Sequence, residues 1–130
     1  MKVRWTTGSV RFRITPTELA KLMMGGSIET ALPVPGGQWR VSISSAGEST
    51  TIAMVDGVLS VNLATVDRDL LAEPEREGVY FCTPDPLSVR YYIEKDFPCA
   101  HPRPPAANDP VTETFAPPTD FKLRHKTDCL

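Results

Sequence analysis

The sequence predicts an α+β fold in one domain: a curved, mostly antiparallel sheet of about seven strands over residues 1–97, with one or two helices and an extended Pro-rich C-terminal tail over 98–130. Several short runs alternate apolar with polar residues, which is the period of a half-buried strand. One segment carries both the start and the stop signals of a helix. Seven of the 13 prolines lie from Pro98 onward, where a sheet could not use them.

Residues 2–14 predict an opening hairpin. Apolar residues alternate with basic ones on either side of Gly8, a residue typical of turns. The same alternation, continued further along the chain, predicts that Trp5, Phe12 and Trp39 lie in the core. We expect the basic residues between them to face solvent.

The segment after this hairpin predicts the best-defined helix. Thr15 can cap its N-terminus, Pro16 suits the first helical position, and Glu18 completes a capping box. Gly25 and Gly26 then end it. The apolar residues between these signals fall on one helical face: Leu19, Leu22 and Met23.

Residues 27–63 predict an antiparallel meander. Asp56-Gly57 is a strong signal for a two-residue hairpin turn between its last two strands. The predicted strands are 28–32, 39–44, 51–55 and 58–63.

A short helix is predicted over 64–73, with Thr65 as its cap and Pro74 ending it. A second hairpin follows, with strands at 79–82 and 87–95. We expect its tyrosines to include an outward-facing one. No internal repeat is apparent at any period.

The charge and composition exclude several function classes. The net charge is -2 and the sequence pI is about 5.6, so a nucleic-acid partner is not expected. No apolar run is long enough to span a membrane, and basic residues interrupt any leader, so we expect no membrane partner and a cytoplasmic protein. Three cysteines, an odd number, do not form a disulfide framework.

Two stretches resemble a known family. One is the opening basic hairpin with its Thr-initiated helix, and the other is Glu94-Lys95-Asp96-Phe97-Pro98-Cys99, followed by His101 and Arg103. Together they resemble a family of short, uncharacterised bacterial proteins, a domain of unknown function that carries a Glu-Lys-Asp-Phe-x-Cys signature near its end. The resemblance spans residues 1–118 and implies a bacterial protein and a suspect motif, but no reaction.

This motif has a metal-binding interpretation. Cys99 and His101 lie two residues apart, so an extended backbone presents both side chains on one face, and thiolate and imidazole suit zinc or another transition metal. Two ligands are too few for a closed site. Asp96 is a further candidate, and His125 with Cys129 could complete a Cys2His2 set.

The same residues allow a weaker, catalytic interpretation. Cys99 as a nucleophile, with His101 as base and Asp96 as orienter, has the residue types of a thiol hydrolase. Neighbouring extended residues rarely align a base on a thiol, and both histidines of the chain lie in the tail. An enzyme is therefore uncertain and less expected than a protein without catalysis.

A structural interpretation needs no ligand. Glu94, Lys95 and Asp96 would tie the last strand to the arginines of the first hairpin, and Phe97 would plug the edge of the core. The tail would lie over the domain in places, anchored by Phe115 or Phe121.

The leading functional expectation is a non-catalytic binding or accessory module. Its sheet face or tail would contact an unknown protein or small molecule, without a cofactor, and it would present an exposed apolar patch. Metal binding through Cys99 and His101 is the alternative. A homodimer is a further expectation, because a Pro-rich arm could reach a neighbouring copy.

Overall fold

The computed structural model describes residues 1–98 and 113–118. This part of the chain forms eight strands and two helices. In chain order they are β1 (Lys2–Thr6), β2 (Ser9–Ile14), α1 (Pro16–Met23), β3 (Ile28–Val34), β4 (Gly37–Ser45), β5 (Thr51–Val55), β6 (Val58–Leu63), α2 (Thr65–Leu71), β7 (Gly78–Cys82) and β8 (Arg90–Lys95). The predicted hairpins and both predicted helices are confirmed.

The strands form two separate sheets, so the prediction of one seven-stranded sheet is wrong. The first sheet has the order β1-β2-β8-β7 and the second has the order β3-β4-β6-β5. In each sheet the outer pairs are antiparallel and the two central strands are parallel. The predicted meander is therefore also wrong, because β4 pairs with β6 and not with β5. Alternation shows which face of a strand is buried, but it carries no information about which strand lies beside it.

The topology divides the chain into two equivalent halves. Each half is a hairpin, a helix and a second hairpin: β1-β2-α1-β3-β4, then β5-β6-α2-β7-β8. Each half gives one hairpin to each sheet, and exchanging the halves maps one sheet order onto the other. The fold is thus an internal structural duplication, in which each sheet contains one hairpin from each half.

The register supports this equivalence residue by residue. In the first sheet Val10 pairs with Tyr91 across the parallel strands, and in the second sheet Leu59 pairs with Val41 at the corresponding place. A backbone hydrogen bond at the end of β2 and another at the end of β6 show the same equivalence. Asp96 N donates to Ile14 O at 2.9 Å, and Ala46 N donates to Leu63 O at 3.2 Å.

Both hairpins that open a half have a glycine at the second turn position, although the first position differs: Asp56 has a positive φ of 50° and Thr7 does not. Gly8 and Gly57 hold the second turn position with φ of 81° and 77°, a region that favours glycine. The strands around them match in length: Lys2–Thr6 corresponds to Thr51–Val55, and Ser9–Ile14 to Val58–Leu63. The repeat is not apparent in the sequence because the fold constrains only the apolar character of inward positions, not their identity.

The two helices begin differently. In α1 the predicted capping box is present: Glu18 N donates to Thr15 Oγ1 at 3.2 Å, and Thr15 N donates to Glu18 Oε1 at 2.9 Å. In α2 the N-cap is Ala64, and Thr65, predicted as the cap, is the first helical residue. The N-cap residue itself makes no side-chain hydrogen bond to the helix. Thr50, which lies outside the helix, contacts its first turn instead: its hydroxyl accepts a hydrogen bond from Ala64 N at 2.8 Å and donates one to a carboxylate oxygen of Asp67 at 2.6 Å.

One apolar cluster joins both sheets and both helices. Its fully buried side chains come from the inward positions of the central strands and from one residue of each helix. The largest of them are Phe12, Ile14, Leu22, Val41, Ile43, Val61, Leu63, Leu71 and Ile93.

A short extended segment after the domain packs back onto it. Phe115 N donates to Asp96 O at 2.8 Å, and the Phe115 ring meets the Phe97 ring at a centroid distance of 6.1 Å. Glu113 accepts hydrogen bonds from the backbone and hydroxyl of Thr17. The prediction that Phe115 anchors this part of the chain is confirmed. Within 1–98 and 113–118, neither helix has the length and apolarity to cross a membrane.

Candidate functional site

An exposed apolar cleft lies between the two sheets, near their edges. We call it the tryptophan cleft, and it has a volume of ≈ 390 Å³. Its lining residues are Val3, Trp5, Leu32 and Trp39. These are the chain's two tryptophans and two aliphatic side chains, with no charged group among them.

The local structure explains how each side chain reaches the cleft. Val3 and Trp5 lie two residues apart on β1, so both point to the same face of the first sheet. Leu32 and Trp39 are directly opposed in the ladder between β3 and β4. The cleft is therefore built by the outermost strand of each sheet, with one further residue from β4.

Most of this apolar surface is open to solvent. Trp5 is 78% exposed, Leu32 57% and Trp39 38%. The prediction that Trp5 and Trp39 lie in the core is wrong, whereas Phe12, predicted with them, is fully buried. Alternation placed all three on the inward face correctly. It could not show that these inward positions of β1 and of the β3–β4 hairpin stay open to solvent.

The strands beside the cleft also have free edges. β1 and β3 each pair with one neighbour only, so each leaves one row of backbone groups without a strand partner among the described residues. Pro33 lies in β3 and has no N–H to donate, which weakens that edge as a template. The edge of β1 contains no proline and is the more open of the two.

The second half of the fold provides an internal comparison. Met54 is the equivalent of Trp5, and Thr83 and Val89 are the equivalents of Leu32 and Trp39. Thr83 and Val89 keep the cross-strand hydrogen bonding, since Thr83 N donates to Val89 O at 2.8 Å. The architecture is therefore compatible with small or flexible side chains at these positions. Paired tryptophans occur only in the first half.

The predicted signature residues lie at the far end of β8. Glu94 pairs with Arg11 at 2.9 Å, which confirms the expected tie between the last strand and the first hairpin. Asp96 is 2% exposed and pairs with Lys2 Nζ at 3.0 Å, so its carboxylate already has a cation. Phe97 packs against Phe115 rather than closing the core alone.

Lys95 departs from the expected surface pairing. Its side chain points inward, its Nζ donates to Glu73 O at 2.7 Å, and it lies 5.5 Å from the centroid of the Phe115 ring. Burial lowers the pKa of Lys95, and Arg76 lowers it further, while Glu73 and its neighbour Glu75 act in the opposite direction. Lys95 is thus a buried cation held by a backbone carbonyl and an aromatic face.

The proposed ligands Cys99 and His101 lie outside the described residues, as do Arg103, His125 and Cys129. The metal-binding and thiol interpretations therefore stay predictions. Within 1–98 and 113–118, no group of three or more His, Cys, Asp or Glu could hold a metal ion. Cys82, the cysteine in this part of the chain, is exposed and unpaired.

The tryptophan cleft and the adjacent edge of β1 together can bind an extended segment of another chain, since an open apolar cleft beside a free strand edge has the features of a recognition surface. Tyrosines of the second hairpin do face outward as expected: Tyr80 is 55% exposed and forms an edge contact with Tyr92. They lie on the outer face of the first sheet, away from the cleft.

Comparison with known proteins gives one match. A family model described as "Family of unknown function (DUF7009)" matches residues 1–116. No curated protein and no solved structure matches the chain.

Proposed function

The chain belongs to this family of unknown function, and from its own surface we propose that it is a non-catalytic binding module whose tryptophan cleft and β1 edge hold an extended, acidic segment of a partner protein. The observation that carries the proposal is the joint exposure of Trp5, Leu32 and Trp39 in one cleft.

Exposed tryptophans in a contiguous cleft favour a macromolecular contact. A soluble domain rarely leaves several large apolar side chains together in water, because burying them is worth roughly 25 cal/mol per Å². Tryptophan is also enriched among the residues that dominate protein–protein binding energy. The cleft is therefore suited to an apolar side chain supplied by a partner.

The free edge of β1 favours an extended partner. A segment that adds to β1 as a further strand would satisfy its unpaired backbone groups. Alternate side chains of that segment would fall on the same face as Trp5 and could enter the cleft. The remaining side chains would fall on the face that carries Lys2 and Arg4.

The charges of β1 favour an acidic segment and disfavour a second copy of this chain. Lys2 and Arg4 are exposed, and Arg4 lies directly opposite Arg11 in the hairpin. Antiparallel pairing of β1 with its own copy, centred on Arg4, would set two arginines directly against each other, which is destabilising. Glutamates at alternate positions of a partner strand would instead neutralise this face.

Tryptophan fluorescence tests the proposal directly, because both tryptophans of the chain line the cleft. The probe is a capped peptide of about six residues that alternates glutamate and leucine, the usual length of a strand. A lysine–leucine peptide of equal length is the charge control. We expect a saturable change in emission with the acidic peptide only.

Two variants provide a matched pair. Trp5→Ala removes the most exposed cleft residue and keeps Trp39 as a reporter, and Met54→Ala makes the equivalent change in the other half. We expect Trp5→Ala to weaken binding by roughly tenfold or more, and Met54→Ala to leave it unchanged. Equal binding of both peptides, equal effects of both variants, or an emission change that follows self-association in sedimentation would each overturn the proposal.

A further inference from the structure

A second surface, on the opposite face of the first sheet, is unusually basic. Its side chains form three rows across β1, β2 and β8, set by the ladder register. We call it the basic face. The rows are Lys2, Arg13 and Glu94, then Arg4, Arg11 and Tyr92, then Thr6, Ser9 and Arg90.

The carboxylates near this face do not balance its cations. Glu94 is engaged by Arg11 at 2.9 Å, and Asp96 by Lys2 at 3.0 Å. Arg4 and Arg90, both exposed, form no ion pair with any described residue. A chain with a net charge of -2 thus concentrates unneutralised positive charge on one sheet face.

The register makes this concentration costly. Lys2 is directly opposite Arg13, and Arg4 is directly opposite Arg11. Like charges at directly opposed positions destabilise a sheet. The Nε of Arg13 is also buried without a hydrogen-bond partner in the described part of the chain. Folding alone does not explain why these residues are cationic.

The duplicated half shows that the fold does not require them. The equivalents of Arg4 and Arg11 on the outer face of the second sheet are Ala53 and Ser60. Those of Lys2 and Arg13 are Thr51 and Asn62.

Both sheets carry an arginine at one equivalent position of their outer faces: Arg90 in the first sheet and Arg40 in the second. The two arginines differ in their neighbours. Arg40 is neutralised, because its Nε donates to Glu29 Oε1 at 2.7 Å. Arg90 has uncharged cross-strand neighbours, Ser9 on one side and Cys82 on the other.

We propose that the basic face binds a phosphoryl group of a small phosphorylated molecule. The site is a concave region of ≈ 340 Å³, lined by Arg4, Thr6, Ser9, Arg11, Arg90 and Tyr92. Guanidinium groups present forked N–H donors that match phosphoryl oxygens. The hydroxyls of Thr6 and Ser9 hydrogen-bond to each other, which leaves one of the two protons as an uncharged donor beside the arginines.

One arginine of the site is already held in place. Arg11 lies 5.5 Å from the centroid of the Tyr92 ring and is fixed by Glu94, so its guanidinium loses little freedom when an anion arrives. Arg4 and Arg90 have no such pair and supply the unbalanced charge. The volume is in the range of small-molecule sites, and the acidic chain as a whole disfavours a long polyanion.

Calorimetric titration with inorganic pyrophosphate at constant ionic strength tests this site. We expect saturable binding of one pyrophosphate per chain. Arg90→Ala should weaken it by roughly tenfold or more, because a charge-assisted hydrogen-bonding group is lost. Arg40→Ala, the matched change on the other sheet, should alter it less than about twofold. Thermal melting of both variants checks that each remains folded.

Three outcomes would overturn the proposal. One is the absence of saturable binding by the unaltered chain. A second is an equal effect of Arg90→Ala and Arg40→Ala, or equal affinity for citrate, which would indicate general charge attraction. The third is binding of single-stranded RNA with a steep salt dependence while pyrophosphate does not bind, which would indicate a nucleic-acid surface.

The site goes beyond the proposed peptide-binding function; both use Arg4, so the two are tested apart through Trp5 and Arg90, each of which belongs to one site only. Trp5→Ala should leave pyrophosphate binding unchanged, since Trp5 points to the opposite face of β1. Arg90→Ala should likewise leave the tryptophan emission change with the acidic peptide intact. Either function can thus fail without the other.

Discussion

Trp5 and Met54 occupy equivalent positions on the edge strands β1 and β5, and both side chains are largely exposed. One half of the duplicated fold therefore presents an aromatic ring where the other presents a flexible thioether. The fold accepts both, so packing at this position does not require an aromatic side chain. Each such pair of positions provides a control for the other.

The two tryptophans should differ in their access to solvent. In Trp39→Phe the remaining Trp5 is 78% exposed, and in Trp5→Phe the remaining Trp39 is 38% exposed. We expect acrylamide to quench the emission of Trp5 more strongly than that of Trp39. Equal quenching constants would mean that the cleft is closed in solution.

The capping box of α1 should contribute measurably to stability. Thr15→Ala removes the hydroxyl that accepts from Glu18 N, and we expect a loss of about 1 kcal/mol in the free energy of unfolding by urea. Thr7→Ala, in the exposed turn of the first hairpin, is the control and should change stability by less than about 0.5 kcal/mol. Equal losses would argue against the cap.

Phe115 should anchor the segment that follows the domain. Phe115→Ala removes a partly buried ring that packs against Phe97 and the core, and we expect a loss of about 2 kcal/mol, below the full cost of emptying a core site. Limited proteolysis should cut near this segment sooner in the variant. Thr114→Ala, at an exposed neighbour, should behave like the parent, and matching digestion rates for all three chains would contradict the anchor.

Lys95 should give the stability a specific pH dependence. Burial sets the pKa of Lys95 in the folded chain below its ordinary value of 10.5. Between the folded pKa and 10.5 the unfolded chain holds more protons than the folded chain, so the free energy of unfolding rises with pH through that window. Below the window, the cost of burying the charged Lys95 amine is fully present.

Two tyrosines act in the opposite direction. Burial raises the pKa of Tyr80 and of Tyr91 above 10.0, so their contribution to the free energy of unfolding falls as pH rises past that value. Comparing the parent with Lys95→Met removes this shared background. We expect the stability of the parent relative to the variant to increase as pH approaches 10.5, and a constant difference would show that Lys95 is not shifted.

Local signals in the sequence were sufficient for most elements. The Thr15–Glu18 box, the glycine turns and the alternation placed both helices and the hairpins close to where they are. Pairing between hairpins was not predictable, because the parallel contacts β2–β8 and β4–β6 join strands that are distant in sequence or separated by another strand. No local pattern specifies such a neighbour.

The candidate sites were harder to predict than the elements. Trp5 and Trp39 lie on inward positions, and alternation alone does not reveal that these positions are open to solvent. Arg4 and Arg90 belong to different hairpins and meet only through the parallel β2–β8 contact. The sequence showed an outward basic face on the first hairpin, but not the arginine that completes it.

The hairpin exchange also sets the order in which the chain can fold as it is synthesised. The second sheet is complete once β6, ending at Leu63, has emerged, because β3, β4 and β5 precede it. The first sheet must wait until β8, ending at Lys95, has been made, so β1 and β2 have no central partner strand before that point. Trp5 and its basic neighbours on β1 therefore stay without that sheet while β3 to β7 are being made. Charged side chains on an edge strand disfavour pairing with another chain, so we expect the arginines of β1 and β2 to make this hairpin less prone to mispairing during that interval.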